Sequence, residues 1–152
     1  KSHMKGNTAM NCNEELLVHI HKISEMGKNT LHRLIPIIDD AKFKGVVESS
    51  HDEYSRIFMA SDTLLKADGG DDSGVSPVSK TMGNVMIGLN SMTDSSVAHL
   101  AEMVMKGTDM GIEEIEQALP KLRGHASEEA KNLAECLHKF LLGNKEQLKL
   151  YL

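Results

Sequence analysis

The stretch SEEAKNLAECLHKFLLGNKEQLKLY, residues 127–151, decides the fold. Its apolar residues recur every three or four positions, which places them along one face of an α-helix. Ser127 is a good N-cap, and the two glutamates after it suit the positive end of the helix dipole. The apolar face consists of Ala130, Leu133, Leu137, Leu141, Asn144, Leu148 and Tyr151. A helix with one apolar face must bury it against other elements, so the stretch predicts a helical bundle.

Two further stretches with the same periodicity lie in the first half of the chain. The first is predicted to form a helix over residues 14–38, with Asn13 as its N-cap and Pro36 bending its last turn. The second follows Asp39-Asp40 and continues to Ala67, and so short a turn makes the two helices antiparallel neighbours. The residues predicted to face the core are Leu16, Ile20, Ile23, Gly27, Leu31, Leu34 and Ile38 on the first helix and Phe43, Val47, Ser50, Tyr54, Ile57, Phe58, Ser61 and Leu65 on the second.

A third long helix is predicted after the capping cluster Thr93-Asp94-Ser95-Ser96. The connection that precedes it holds a loop rich in glycine and aspartate and then a short helix that starts at Ser76-Pro77. A long second connection that returns along the bundle resembles the wiring of ferritin-like folds. Strand signals are absent, so the predicted fold class is all-α: an antiparallel four-helix bundle, ferritin-like, with a short extra helix in the long connection. The predicted core-facing residues of the third helix are Val97, Ala101, Val104, Thr108, Ile112, Ile115 and Leu119.

The amino-acid composition argues against some classes of binding partner. The chain has 152 residues and a formal net charge of −5, with aromatic residues at only 3%. A mildly acidic chain with few aromatics argues against nucleic acid or an anionic membrane surface as the main partner. Ser2-His3-Met4 is typical of a cleaved expression tag, so residues 1–10 are predicted to be a tag remnant or a disordered N-terminus. Residues 11–152 are predicted to form a single helical-bundle domain.

Nothing in the chain predicts a membrane or an oxidising compartment. No apolar run approaches the roughly 18 residues that a membrane span needs. Cys12 and Cys136 lack the spacing of a metal or redox motif, which is typical of free thiols. The expected location is therefore cytoplasmic.

Two Glu-x-x-His pairs, Glu48-Ser-Ser-His51 and Glu135-Cys-Leu-His138, stand on the second and fourth predicted helices. With Glu102 on the third helix, they resemble the ligand set of ferritin-like di-iron carboxylate proteins, and that resemblance implies iron as a cofactor. The helical projection opposes this reading, because it turns Glu135 about 160° away from its helix's apolar face. The preferred prediction is therefore no cofactor, with iron binding at these residues as the alternative.

Short segments spread over most of the chain resemble uncharacterised small all-helical proteins of anaerobic Gram-positive bacteria. The resemblance implies a helical fold and carries no activity. The segments are Glu25-Met26-Gly27, Asp52-Glu53-Tyr54, Ala101-Glu102-Met103 and Glu146-Gln147-Leu148.

The predicted core contains a few polar residues. Gly27 and Tyr54 are expected at the same height on the first two helices, so the glycine would leave room for the tyrosine ring. The buried hydroxyl would then need a partner such as Thr108 or Asn144. These four residues are predicted to form a buried polar cluster that fixes the packing of the helices. A small-molecule pocket lined by the same groups is the alternative.

Methionine and glycine are concentrated on the short helix and on one face of the third helix. Small residues permit close helix approach, and methionine fills irregular gaps. Either the short helix covers this face or the face pairs with a second copy, which predicts a homodimer. The predicted interface residues are Met82, Met86, Met103, Gly107 and Met110.

No motif predicts catalysis. The chain lacks a nucleophile elbow, a P-loop, a dinucleotide-binding fingerprint and a zinc-protease helix, and its eight histidines are scattered. His19, His21 and His32 lie on the flanks of the first helix and are interpreted as surface residues. No catalytic or cofactor-binding residue is therefore predicted. The predicted function is that of a non-enzymatic helical bundle acting by self-association or protein–protein interaction, and the alternative is a ferritin-like metal-binding carboxylate protein.

Overall fold

The computed structural model describes residues 11–67 and 94–152, which form four long α-helices. Neither range contains a strand, so the prediction of an all-α four-helix bundle is confirmed. The predicted tag remnant and the predicted short helix both lie outside the described residues. The helices are α1 (Cys12–Leu34), α2 (Ala41–Ala67), α3 (Val97–Leu122) and α4 (Glu128–Lys149).

The first helix begins and ends earlier than predicted. Its N-cap is Asn11, whose Oδ1 accepts a hydrogen bond from the backbone N–H of Glu14 at 2.7 Å. Asn13 was the wrong choice because it already lies inside the helix, and its Oδ1 accepts from the backbone N–H of Ser127 instead. The α-helix ends at Leu34, and residues 35–37 form a 3-10 turn that contains Pro36. Proline has no N–H and disfavours helical geometry in the residue before it, which explains the early end.

The helices α2 and α4 run in opposite directions, and so do α1 and α3. Between α2 and α4, the ring of Phe43 lies 5.1 Å from that of Tyr151, and the ring of Tyr54 lies 4.9 Å from that of Phe140. Residue numbers therefore rise along one helix as they fall along the other. Between α1 and α3, residues near the start of α1 meet the middle of α3, and residues near its end meet the first turns of α3.

The core follows the predicted apolar faces. On α1, every predicted core residue is buried except Gly27, which is half-buried. His21 and Ser24 are buried as well, which the sequence did not suggest. The interpretation of His21 as a surface residue was wrong, because α2 provides it with a matched partner surface. The imidazole stacks 4.4 Å from the Phe58 ring and its Nε2 lies 3.2 Å from an Asp62 oxygen.

Glu114 connects α3 to α1 through two side chains of α1. Its Oε2 lies 2.7 Å from His19 Nδ1 and 2.6 Å from Lys22 Nζ, both on α1. Burial alone would raise the pKa of this carboxyl, but the hydrogen bonds from His19 and Lys22 outweigh it and hold the pKa below its usual range. The folded chain therefore stabilises the ionised carboxylate.

Replacing Glu114 by glutamine is expected to flatten the loss of stability in acid. Because the folded pKa is depressed, the carboxylate's contribution is complete above its unfolded value of about 4.3 and is lost as the pH falls through the folded value. Denaturant unfolding from neutral pH down to about pH 3 measures this. The exposed neighbour provides the control, since Glu113→Gln should follow the wild type. Equal acid slopes in the wild type and Glu114→Gln would contradict the assignment.

Candidate functional site

A cavity of about 580 Å³ lies between α1 and α3, with one residue of α2 at its base. Cavities of this size and mainly apolar lining are typical of sites that take small molecules or the side chains of a partner. We call it the groove. Its lining residues are Ile23, Met26, Gly27, Thr30 and Leu31 of α1, Tyr54 of α2, and His99, Glu102, Met103, Val104, Lys106, Gly107, Thr108 and Met110 of α3.

Three methionines line the groove. Met26 stands on α1, and Met103 and Met110 stand on α3 two turns apart. Met110 is 44% exposed. Between the two α3 methionines, a Cβ added to Gly107 would meet no atom of the described residues within 4 Å. The middle of the groove therefore has room for another group.

Tyr54 forms the base of the groove. Its ring packs edge-on against Phe140 and is only 4% exposed. The ring lies so close to Gly27 that a Cβ at that position would come within 2.6 Å of Tyr54 Cδ1. Burial raises the pKa of the Tyr54 hydroxyl to about 12, although a hydrogen bond with the Thr108 side chain lowers it in part. The base of the groove is therefore a neutral hydroxyl.

A chain of hydrogen bonds continues from this hydroxyl across the core. Thr108 Oγ1 donates to the backbone carbonyl of Val104 at 2.9 Å and accepts from Asn144 Nδ2 at 3.4 Å. Asn144 Oδ1 in turn accepts from Ser50 Oγ at 2.6 Å. The structure thus brings Gly27, Tyr54, Thr108 and Asn144 together. It also adds Ser50, which the sequence marks only by its position one turn before the tyrosine on the same face.

The other end of this chain reaches a second, smaller cavity. Ser50 and Asn144 line a space of about 290 Å³ between α2 and α4, together with Phe140. The polar chain therefore connects the groove on one side of the bundle with a cavity on the other.

Two charged side chains stand at the rim of the groove. Glu102 is 73% exposed, and its partner among the described residues is His99, whose Nδ1 lies 3.9 Å from Glu102 Oε1. Lys106, one turn further along α3, forms no ion pair with any residue in 11–67 or 94–152. Among the described residues, the rim therefore carries one weakly paired acid and one unpaired base.

Three of the five predicted interface residues lie in the described part of the chain. Met103, Gly107 and Met110 lie together along the α3 side of the groove. Met82 and Met86 lie outside the described residues, so their position relative to the groove stays a prediction.

The structure does not gather the residues of the iron-binding alternative. Glu48 is exposed, and His51 Nδ1 lies 3.4 Å from its sequence neighbour Asp52. Glu102 stands apart from both of them, at the rim of the groove. The fourth-helix pair is engaged elsewhere: Glu135 pairs with Arg123 at 2.6 Å and His138 with Glu116 at 2.8 Å.

The described part of the chain holds no group of three or more histidine, cysteine, aspartate or glutamate side chains that could bind a metal ion. The two cysteines are free thiols. Cys136 has one neighbour that the sequence did not suggest, since Arg56 Nη2 lies 3.5 Å from its sulfur.

Comparison of the chain with protein-family profiles, curated proteins and solved structures finds no match. None of the described helices has both the length and the apolar character needed to cross a membrane. The groove and its rim are therefore the basis of the proposed function.

Proposed function

We propose that the protein is a non-enzymatic helical bundle that acts by self-association, with two copies packed groove against groove. The observation that carries this proposal is the methionine-lined groove, whose rim bears one acid that is weakly paired and one base that is unpaired among residues 11–67 and 94–152. The proposed dimer is symmetric, because one surface of the chain supplies both halves of the contact.

The apolar part of the groove favours burial against another surface. Met110 leaves 44% of its surface in water, and Met103 is only half-buried. Contiguous exposed apolar surface is typical of protein interfaces, and methionine adapts its shape to whatever packs on it. The open space over Gly107 lets a second helix approach α3 closely.

Charge complementarity supports a second copy of the chain as the occupant of the groove. Glu102 and Lys106 are one helical turn, or about 6 Å, apart on the same face of α3. A two-fold axis passing between them would place each glutamate opposite the lysine of the other copy. The dimer would thereby gain two ion pairs from residues that form no ion pair with each other in the single chain.

Reversing one rim charge is expected to weaken the dimer. Lys106→Glu would replace both attractive pairs by repulsive ones, and the dissociation constant should rise by about 30-fold or more. The double reversal Glu102→Lys with Lys106→Glu restores opposite charges and should restore association. Sedimentation velocity over a wide concentration series measures both variants.

The matched control is Lys139→Glu, which makes the same charge change at an exposed position of α4. It should dimerise as the wild type does. A wild-type chain that stays monomeric at every concentration would overturn the proposal. A dimer that tolerates Lys106→Glu as well as it tolerates Lys139→Glu would overturn the proposed interface.

We also propose that the bundle is wired as in ferritin-like folds. Two observations support this: α2 turns back directly after α1, and α3 also runs opposite to α1. Both α2 and α3 therefore point the same way, so the end of α2 and the start of α3 lie at opposite ends of the bundle. In a simple up-down-up-down bundle α2 and α3 would instead run in opposite directions, whereas ferritin-like topology has them parallel.

A cytoplasmic location is part of the same proposal. Its support is that Cys12 and Cys136 are both free thiols and sit on different helices. Free, unpaired cysteines are typical of proteins kept in a reducing compartment.

A further inference from the structure

We propose that the groove is also a binding site for a neutral aromatic molecule that carries one N–H or O–H group. The inference goes beyond self-association and does not depend on it, because every group it uses belongs to a single chain. Four features carry it: the volume, the thioether walls, the hydroxyl at the base and the position of the charges.

The methionine side chains that line the groove favour binding of an aromatic ligand. Thioether sulfur makes favourable contacts with the edges of aromatic rings, and Met26, Met103 and Met110 present three such groups around one space. The volume of about 580 Å³ lies within the range of sites that enclose small organic molecules. A ligand with two or three rings would fill it between Gly107 and the Tyr54 ring.

The Tyr54 hydroxyl at the base of the groove favours a ligand that donates a hydrogen bond. Thr108 is the one hydrogen-bond partner described for the Tyr54 hydroxyl, and a phenolic oxygen that donates one bond keeps acceptor capacity. A ligand N–H or O–H that reaches the base would meet this oxygen. Thr30 lines the same space and offers a second hydroxyl.

The position of the charged side chains at the rim of the groove favours a neutral ligand. Glu102 and Lys106 stand on the exposed rim, whereas the groups at the base are neutral hydroxyls. An ionised group placed at the base would lose its hydration without gaining a partner of opposite charge, which is costly. A neutral ligand avoids that cost.

The probe is N-phenyl-1-naphthylamine, a neutral aromatic amine whose fluorescence rises in apolar surroundings. The expected result is saturable binding of one probe per chain. Gly107→Leu should lower the affinity by at least about 10-fold, because the new side chain enters the groove. The same change at Gly45 on α2, where an added Cβ likewise meets nothing within 4 Å, is the matched control and should bind as the wild type does.

Leucine is a better helix former than glycine, so Gly107→Leu is expected to fold, and circular dichroism checks this. Tyr54→Phe should weaken the amine by about 3- to 10-fold, since one hydrogen bond is lost. Displacement by 1-benzylnaphthalene, which has a CH₂ in place of the N–H, should be unaffected by that variant. Absence of saturable binding to the wild type, or equal binding to Gly107→Leu and Gly45→Leu, would overturn the inference.

Sedimentation on the same samples separates this inference from the proposed dimer. Because the proposed dimer would cover the groove, the probe is titrated at chain concentrations at which sedimentation shows a monomer. A wild-type chain that stays monomeric at every concentration and binds the probe would sustain the ligand site and overturn self-association. A chain that binds no probe as a monomer and dimerises at higher concentration would sustain self-association and overturn the ligand site.

Discussion

Replacing Asn144 by alanine is expected to lower the free energy of unfolding by about 2–4 kcal/mol. The amide side chain is 5% exposed and bonds both Ser50 and Thr108. Without it, the Ser50 hydroxyl loses its acceptor at 2.6 Å, and both hydroxyls are too buried to exchange the bond freely for water. Urea unfolding followed by circular dichroism at neutral pH measures the loss.

Asn132 on the same helix provides the matched control, because it is exposed. Asn132→Ala should change stability by no more than about 0.5 kcal/mol. A double-mutant cycle with Ser50→Ala should then show coupling of at least about 0.5 kcal/mol, since the two residues share one bond. If Asn144→Ala is as stable as Asn132→Ala, the polar chain contributes nothing to the fold.

A large loss of stability is also expected from adding a single methyl group at Gly27. Gly27→Ala should destabilise the protein by about 1–3 kcal/mol, because the new methyl group would overlap the Tyr54 ring. The ring is buried and packed against Phe140, so moving it away from the new methyl group would disturb its packing in the core. Thermal and urea unfolding measure the change.

Gly45→Ala is the control for the helix propensity of alanine. An added Cβ at Gly45 meets nothing within 4 Å, so this variant should gain about 0.5–1 kcal/mol. Removing the ring in a Tyr54→Leu background should abolish most of the Gly27→Ala penalty. Equal stability of Gly27→Ala and Gly45→Ala would show that the close contact is not a constraint.

Much of the fold could be predicted because it depends on periodicity and on capping chemistry. Ser96 and Ser127 cap α3 and α4 as expected, with side chains that accept from His99 N and Ala130 N. At the first helix the predicted cap, Asn13, was wrong, because Asn11 two residues earlier caps the helix. The end of that helix was misplaced because the effect of Pro36 was taken as a bend.

The base of the groove was also accessible to sequence reasoning. A short turn makes α1 and α2 antiparallel, so counting back from it places Gly27 beside Tyr54. The remainder of the groove was not accessible, because no short turn joins α1 to α3 and their contact depends on the whole bundle. His21 was misjudged for a related reason: its partners Phe58 and Asp62 are on another helix.

The pairing of the two charged side chains at the rim of the groove could not be predicted from the sequence, for a different reason. A glutamate four residues before a lysine is the usual pattern of a stabilising pair within one helix. Glu102 and Lys106 have that spacing without forming the pair. Spacing could therefore not reveal that the two side chains remain available to another molecule.

The polar chain across the core has a consequence for the order of folding. The short turns make α1 with α2 one hairpin and α3 with α4 another. The bonds from Ser50 to Asn144 and from Tyr54 to Thr108 join these hairpins, so neither hairpin can complete them alone. A pair of hairpins docked one turn out of place, a slip of about 5.4 Å, would bury these groups without partners. The polar chain can therefore form only when the two hairpins are docked in the native register, and it penalises docking in any other register.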